Sequence, residues 1–406
     1  MGSNYTETSF NHHDVELMHD CYAFYAKVRS SGCPLGHSDQ LGGFYFPTTY
    51  AGVKQVFSDF RNFTSTQGTG LPPQAVALVP VDYDPPKHTK FRRVLNRFFT
   101  VDAAEQDRPR VQAIVDGLID QFIARGSAEL AMDFTRPILS QTMLPILGVP
   151  IEDQAKIAET LLWMVHYRLV DHEGWLERNG QIAGYLIGLA ARRRTSPPVD
   201  DLLQCLIDEE FDGRRLTDEE AFHVLLLTLF GSLDTTHSAI SGALFHLARH
   251  PQDKQRLLSG EVPWATAIEE FLRFTSPIQF LKRTAVNPVD IDGGHLEPGD
   301  AVGALNGAGN HDPERFPEPG RCLIDRDARD HLAFGSGAHV CIGRHFARVM
   351  IDVALKSMLR RAPDFTVPED FVPEYGASEA RGLQSLPIVF TPQPAQAQQR
   401  SSTAAA

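Results

Sequence analysis

The chain has 406 residues, 42% of them hydrophobic and 22% charged, with a formal net charge of −13. That apolar share supports a sizeable core and excludes wholesale disorder. The acidic balance argues against a general nucleic-acid binder or a protein of anionic membrane surfaces.

Residues 1–12 are polar and read as a flexible N-terminus, without the charged-then-apolar pattern of a secretion signal. No run of about eighteen apolar residues follows, so no membrane span is expected. Five cysteines, odd in number and without paired spacing, fit a reducing cytoplasm. Residues 15–30 place apolar side chains at helical spacing; 42–46 read as a short strand and 49–58 as a helix. Residues 68–80 are oily but have no period, and include Val76. Asp84-Pro85-Pro86 then opens a helix on which His88 and Arg92, four apart, share a face. Two donors on one face can clamp an anionic group, although Lys87, Lys90, Arg93 and Arg97 also make a solvated basic face a plain alternative.

Residues 103–211 are dominated by helical patterns, broken most clearly at 192–198. Thr217-Asp218-Glu219-Glu220 is a capping box, from which one unbroken helix is expected to run to His250, before Pro251. Its centre is almost wholly apolar, yet contains Gly231, Ser232, Asp234, Thr235 and Thr236. Polar groups in such a helix carry a cost that needs a reason. One reason is chemical: Gly231 relieves crowding, Thr235 holds dioxygen or water and Asp234 relays protons. The other is structural: a salt bridge for Asp234, and threonines bonded to the preceding turn. Glu270 and Arg273, three apart on the next helix, can pair. Residues 278–286 read as a strand that brings Ile278 and Phe280 towards a pocket and also carries Arg283. A last hairpin is expected over 376–390, and 393–406 reads as a disordered tail.

The most informative stretch is Phe334-Gly335-Ser336-Gly337-Ala338-His339-Val340-Cys341-Ile342-Gly343-Arg344. A single cysteine follows a loop that needs small residues and precedes an amphipathic helix over 344–361. Orphan N–H donors and the helix dipole favour its thiolate. Such a thiolate, with a glycine that lets a flat group approach, suits a haem iron. A buried inert cysteine is one alternative. A zinc site from His331, His339, Cys341 and His345 is another, but it lacks paired short spacings.

Phe-x-x-Gly-x-x-x-Cys-x-Gly, filled by Phe334, Gly337, Cys341 and Gly343, resembles the haem-binding signature of the cytochromes P450. The resemblance covers about residues 12 to 392 and includes the His-x-x-x-Arg, Asp-Thr-Thr and Glu-x-x-Arg motifs in order. Ser232 departs from the glycine usual at its place, which affects the expected water network. The resemblance implies a mainly α (α+β) fold, a large helical region with small β-sheets, as one domain over 13–392. It implies haem b (iron protoporphyrin IX) on Cys341, with Phe334 and Gly343 against it and His88, Arg92, Arg283 and His339 on its propionates. Asp234 and Thr235 would deliver protons, and Glu270 and Arg273 would lock the core with Arg321 or Arg326. Val76, Leu227, Phe230, Gly231, Ile278, Phe280 and Ala380 would meet a small hydrophobic substrate. Residues 382–387 look like the camphor-hydroxylase branch, which hints at a terpenoid. The implied reaction is monooxygenation with O2, fed by an iron–sulfur ferredoxin and its NAD(P)H-dependent reductase, in a soluble bacterial-type enzyme. A basic set, Lys87, Lys90, Arg93, Arg97, Arg344 and Arg348, would steer that ferredoxin. A haem-thiolate peroxygenase and a non-catalytic haem sensor are the rival functions.

Overall fold

The computed structural model describes residues 5–395 apart from 75, 169 and 212. The expected disordered tail therefore lies almost wholly outside the described residues.

About half of the chain is helical. Helices Val101–Phe122 and Arg344–Arg361 lie against each other at the centre; Thr235–Arg249 packs on Arg344–Arg361, and Asp218–Leu233 packs on Arg136–Ile146, Ile151–Tyr167 and His172–Arg193. Their apolar faces merge into one large core, with Phe122, Leu144, Leu229, Leu244 and Leu355 fully or almost fully buried. Hydroxyl caps fix several helix starts: Thr100 accepts from Ala103 N–H, and Thr217 makes the expected capping box with Glu220.

A six-stranded mixed sheet forms the other side. Its order is Thr6–Thr8, Leu35–Ser38, Phe44–Pro47, Ala301–Ala304, Leu281–Ala285, Phe63–Thr64. Two smaller apolar clusters fill the space around it.

Four sequence expectations change here. Residues 6–12, read as flexible, carry the first strand, and Phe10 and His12 are fully buried; parallel pairing with Leu35–Ser38 holds them. The helix expected over 15–30 breaks at Asp20 (φ −131°, ψ 49°). The helix expected to run unbroken to His250 is interrupted at Asp234 (φ −116°, ψ −37°). The last hairpin is reduced to a single bridge, Tyr375 to Leu383, because Pro387–Val389 pairs with Ser127–Glu129 instead. No helix among the described residues is long and apolar enough to cross a membrane.

Candidate active site: a cysteine loop beneath an interrupted helix

The cysteine loop is shaped by its backbone. Gly335 (φ 69°) and Gly337 (φ 70°) occupy the left-handed region. At Gly337 a Cβ would also stand 2.7 Å from Ser58 Cα. The loop closes through Cys341 N–H, which donates to the Phe334 carbonyl at 2.8 Å. Arg344, the first residue of the following helix, donates to the Cys341 carbonyl at 3.0 Å. Burial pushes the Cys341 thiol up; the Gly343 N–H, then Arg92, Arg344 and Arg348, pull it down without winning. The helix start, expected to favour the thiolate, does not do so by itself.

A cavity of about 280 Å³ opens over the sulfur. Phe334, Gly335, Cys341 and Gly343 make one side of it. Leu227, Gly231, Thr235 and Ala239, each four residues from the last, make the other, with Ser232 and Thr236 alongside. A Cβ at Gly343 would meet only Cys341 Sγ, at 4.0 Å, and one at Gly231 would meet nothing within 4 Å. The two faces are thus bare where a flat group would lie between them.

His88, Arg92, Arg283 and His339 converge on one edge of this cavity. The imidazoles of His88 and His339 are 4.1 Å apart. Burial, with Arg92 second, lowers His88 to about 4; burial, then Arg283 and His88, lowers His339 to about 2. Both rings are therefore neutral. Arg283 is buried, one nitrogen donating to the Lys282 carbonyl at 2.8 Å and Nη2 meeting no partner. Burial lowers even this guanidinium to about 10. His88 Nδ1 is likewise buried without a partner. The Asp84 carboxylate offsets part of the Arg283 charge, but its hydrogen bonds go to the Thr64 hydroxyl and the Ser65 N–H. Orphaned donors beside two guanidiniums on one edge are what two carboxylates of a ligand would satisfy. With the cysteine and the bare glycines, the residues present fit a haem.

On the opposite face, the Thr235 hydroxyl donates to the Gly231 carbonyl at 3.1 Å and Ser232 to the Leu229 carbonyl at 3.0 Å. The threonine thus bonds to the preceding turn, as the structural alternative expected. Asp234 is buried, and its carboxyl makes no hydrogen bond or ion pair among the described residues, so the alternative of a salt bridge finds no partner. Its side chain is not part of the cavity wall.

Glu270 and Arg273 form a fully buried two-pronged pair at 2.7 and 2.8 Å. Arg326 is the third partner, at 3.1 Å from Glu270, while Arg321 contributes its carbonyl and turns its side chain to Glu318. The neighbouring Glu269 holds Arg348 and His331. Burial acts to raise its carboxyl, but Arg348 and His331 together bring it down to about 2.

Several expected substrate contacts are not on the cavity wall. Phe280 is fully buried elsewhere, stacked on His12 at 3.9 Å. The N–H groups of Gln279 and Phe280 both reach the Glu379 carbonyl, at 2.8 and 3.4 Å. This bulge shifts the alternation by one residue, so Ile278 is followed on the cavity side by Leu281 and Arg283. Phe230 lies one position before Gly231, off the 227-231-235 row that faces the cavity, and packs against the main core. Val76 also packs on that core, and Ala380 reaches the wall only through its bridge to Ile278. Leu281 and Ala239 were missed; for Ala239 the four-residue spacing was a usable signal.

The fold is mainly helical and the cavity residues fit a haem, and comparison with known proteins agrees with that reading. The family model described as "Cytochrome P450" matches residues 188–260 and 264–373. The chain is 34% identical over 386 residues to the cytochrome P450 monooxygenase PikC of Streptomyces venezuelae, covering 91% of each chain. It is 32% identical to 6-deoxyerythronolide B hydroxylase of Saccharopolyspora erythraea, covering 84% of this chain and 83% of that one. Among solved structures, CYP109E1 from Bacillus megaterium in complex with testosterone superposes with a TM-score of 0.84 at 27% identity, covering 93% of this chain and 100% of that one. The chain belongs to the cytochrome P450 family and is an oxidoreductase of its bacterial monooxygenase type.

Proposed function

We propose that this P450 carries haem b and hydroxylates a compact apolar molecule, terpenoid in class, with electrons from an iron–sulfur ferredoxin and its NAD(P)H-dependent reductase. The observation that supports it best is the convergence on one cavity of Cys341, four cationic or imidazole donors and Thr235. The bound haem supplies dioxygen activation, so that R–H, O2, two electrons and two protons give R–OH and water.

The chain's own residues do the rest. Cys341 Sγ binds the iron from the loop side. Arg92 and Arg283 pair with the two propionates, and neutral His88 and His339 add hydrogen bonds. Thr235 Oγ1, on turning from the Gly231 carbonyl, donates a proton into the cavity, and the Asp234 carboxyl resupplies it from behind the helix. Leu227, Ile278 and Leu281 exclude water and orient the substrate by shape. The names of relatives favour a lipophilic ring compound: 6-deoxyerythronolide B for one, vitamin D(3) for another at 31% identity.

The test is spectroscopic. Reduced protein under carbon monoxide is expected to show the strongly red-shifted absorbance of thiolate-bound haem, and Cys341→Ser to abolish it. A wild-type protein without that band sinks the reading. Difference spectra against small terpenoids, steroids and aromatics then define the substrate, a terpenoid giving the largest response. For the ferredoxin, reversing Arg93 and Arg344 to Glu is expected to slow electron delivery at least about tenfold at low salt. Unchanged delivery places the docking face elsewhere.

A further inference from the structure

His12 and His13, adjacent in sequence, and the distant Glu379 meet beside the loop at Leu71-Pro72. One ligand-capable atom of each lies within 4.8 Å of the other two. His12 is fully buried, and neither of its ring nitrogens makes a well-formed hydrogen bond, although the Leu71 carbonyl that His13 contacts also lies near its ring. Buried imidazoles normally satisfy at least one nitrogen. This ring is also held in place: it stacks on Phe280 at 3.9 Å and 4°, with the His13 ring 4.0 Å away on a tilt. The bulge described above ties the Glu379 backbone to the segment that carries Phe280, so the acid and the stacked ring share one support.

His13 is half-buried, and its Nε2 lies 3.0 Å from the Leu71 carbonyl. A ring N–H on a backbone carbonyl is the contact that orients a ligating imidazole and leaves the other nitrogen to a metal. Glu379 Oε1 is buried without a hydrogen bond, although Arg168 Nη2 stands 3.0 Å away. Half-exposed His13 and Glu379 leave a way in from solvent.

We propose that His12, His13 and Glu379 form a binding site for a borderline divalent transition-metal ion, with Zn2+ as its representative. Two imidazoles and one carboxylate are the donor set such ions take, whereas Mg2+ and Ca2+ require oxygen donors. Tetrahedral coordination brings ligand atoms to about 3.3 Å from one another, so modest side-chain rotations complete the set. A fourth position remains for water. Arg168 is the built-in competitor, because the ion must take the Glu379 carboxylate from it. A bound ion would join the N-terminal segment, the 71–72 loop and residues 377–380, of which Ala380 bridges to Ile278 on the cavity wall.

The test uses the full-length, haem-loaded protein after chelator treatment, titrated with Zn2+ by equilibrium dialysis with metal analysis. One equivalent is expected to bind without displacement by excess Mg2+ and without change in the haem spectrum, which separates this site from Cys341. Affinity is expected to fall roughly tenfold or more in His13→Gln and in Glu379→Gln. In Arg168→Gln it is expected to rise. Both ligand variants sit at half-exposed positions, and the haem spectrum reports that they are folded. Failure of the wild type to hold zinc, equal affinity in wild type and both ligand variants, or no gain in Arg168→Gln would each overturn the site.

Discussion

Arg283 pairs a buried guanidinium with a missing partner, an arrangement that costs about 1–3 kcal/mol in a protein without compensation. Hydrogen bonds to charged groups contribute about 1.5–3 kcal/mol. Replacing Arg283 with Met is therefore expected to speed haem loss by about ten- to a hundredfold, measured as transfer to excess apomyoglobin. The haem-free chain is expected to lose little or no stability in urea, since the variant removes an unpaired charge. The placement of Cys341, His88 and Arg92 on one cavity was legible because these residues sit in short contiguous motifs. Phe280 was misplaced because its orientation depends on the Glu379 carbonyl, about a hundred residues away in the chain. Nothing local in 278–286 announces that bulge. His12 fell in the segment read as flexible, with His13 just beyond it, since polar composition hid the parallel pairing of Thr6–Thr8 that anchors this stretch.

At the level of elements, the interruption at Asp234 matters most. The capping box and the apolar run made the helix from Thr217 readable, but not the break, because its cause lies in one residue's backbone angles. It sets Thr235 on the cavity wall and Asp234 behind it. Thr235→Ala is expected to keep NAD(P)H consumption near wild type while product formed per NAD(P)H falls roughly tenfold or more, with peroxide making up the balance. Equal yields of product would remove the threonine from proton delivery. Phe230 teaches the same lesson as Phe280: membership of an element was legible, but phase relative to the cavity required counting in steps of four.

Across the whole molecule, Glu269 links helix Trp264–Thr275 to Arg348 on the helix behind Cys341 and to His331 before the loop. Its carboxyl titrates at about 2 when folded, below its usual 4.5. A depressed acid stabilises the fold fully above its unfolded pKa and loses that contribution as pH falls through its folded one. The stability gap between wild type and Glu269→Gln, from urea titrations, is expected to be constant above about pH 5.5 and to shrink steadily below about 4.5. A gap that does not vary with pH would mean the carboxylate is not charged and paired in this way. The mixed sheet and the central helices were foreseeable as a class from motif order. Their contacts were not, since they join strands from both ends of the chain.

The edge where His88, Arg92, Arg283 and His339 gather leaves the polypeptide electrically unfinished until a dianion arrives. If a haem fills that edge, assembly and ligand supply become one process: chains made faster than porphyrin is provided keep the guanidiniums of Arg92 and Arg283 together inside the fold and are expected to be the ones cut by proteases.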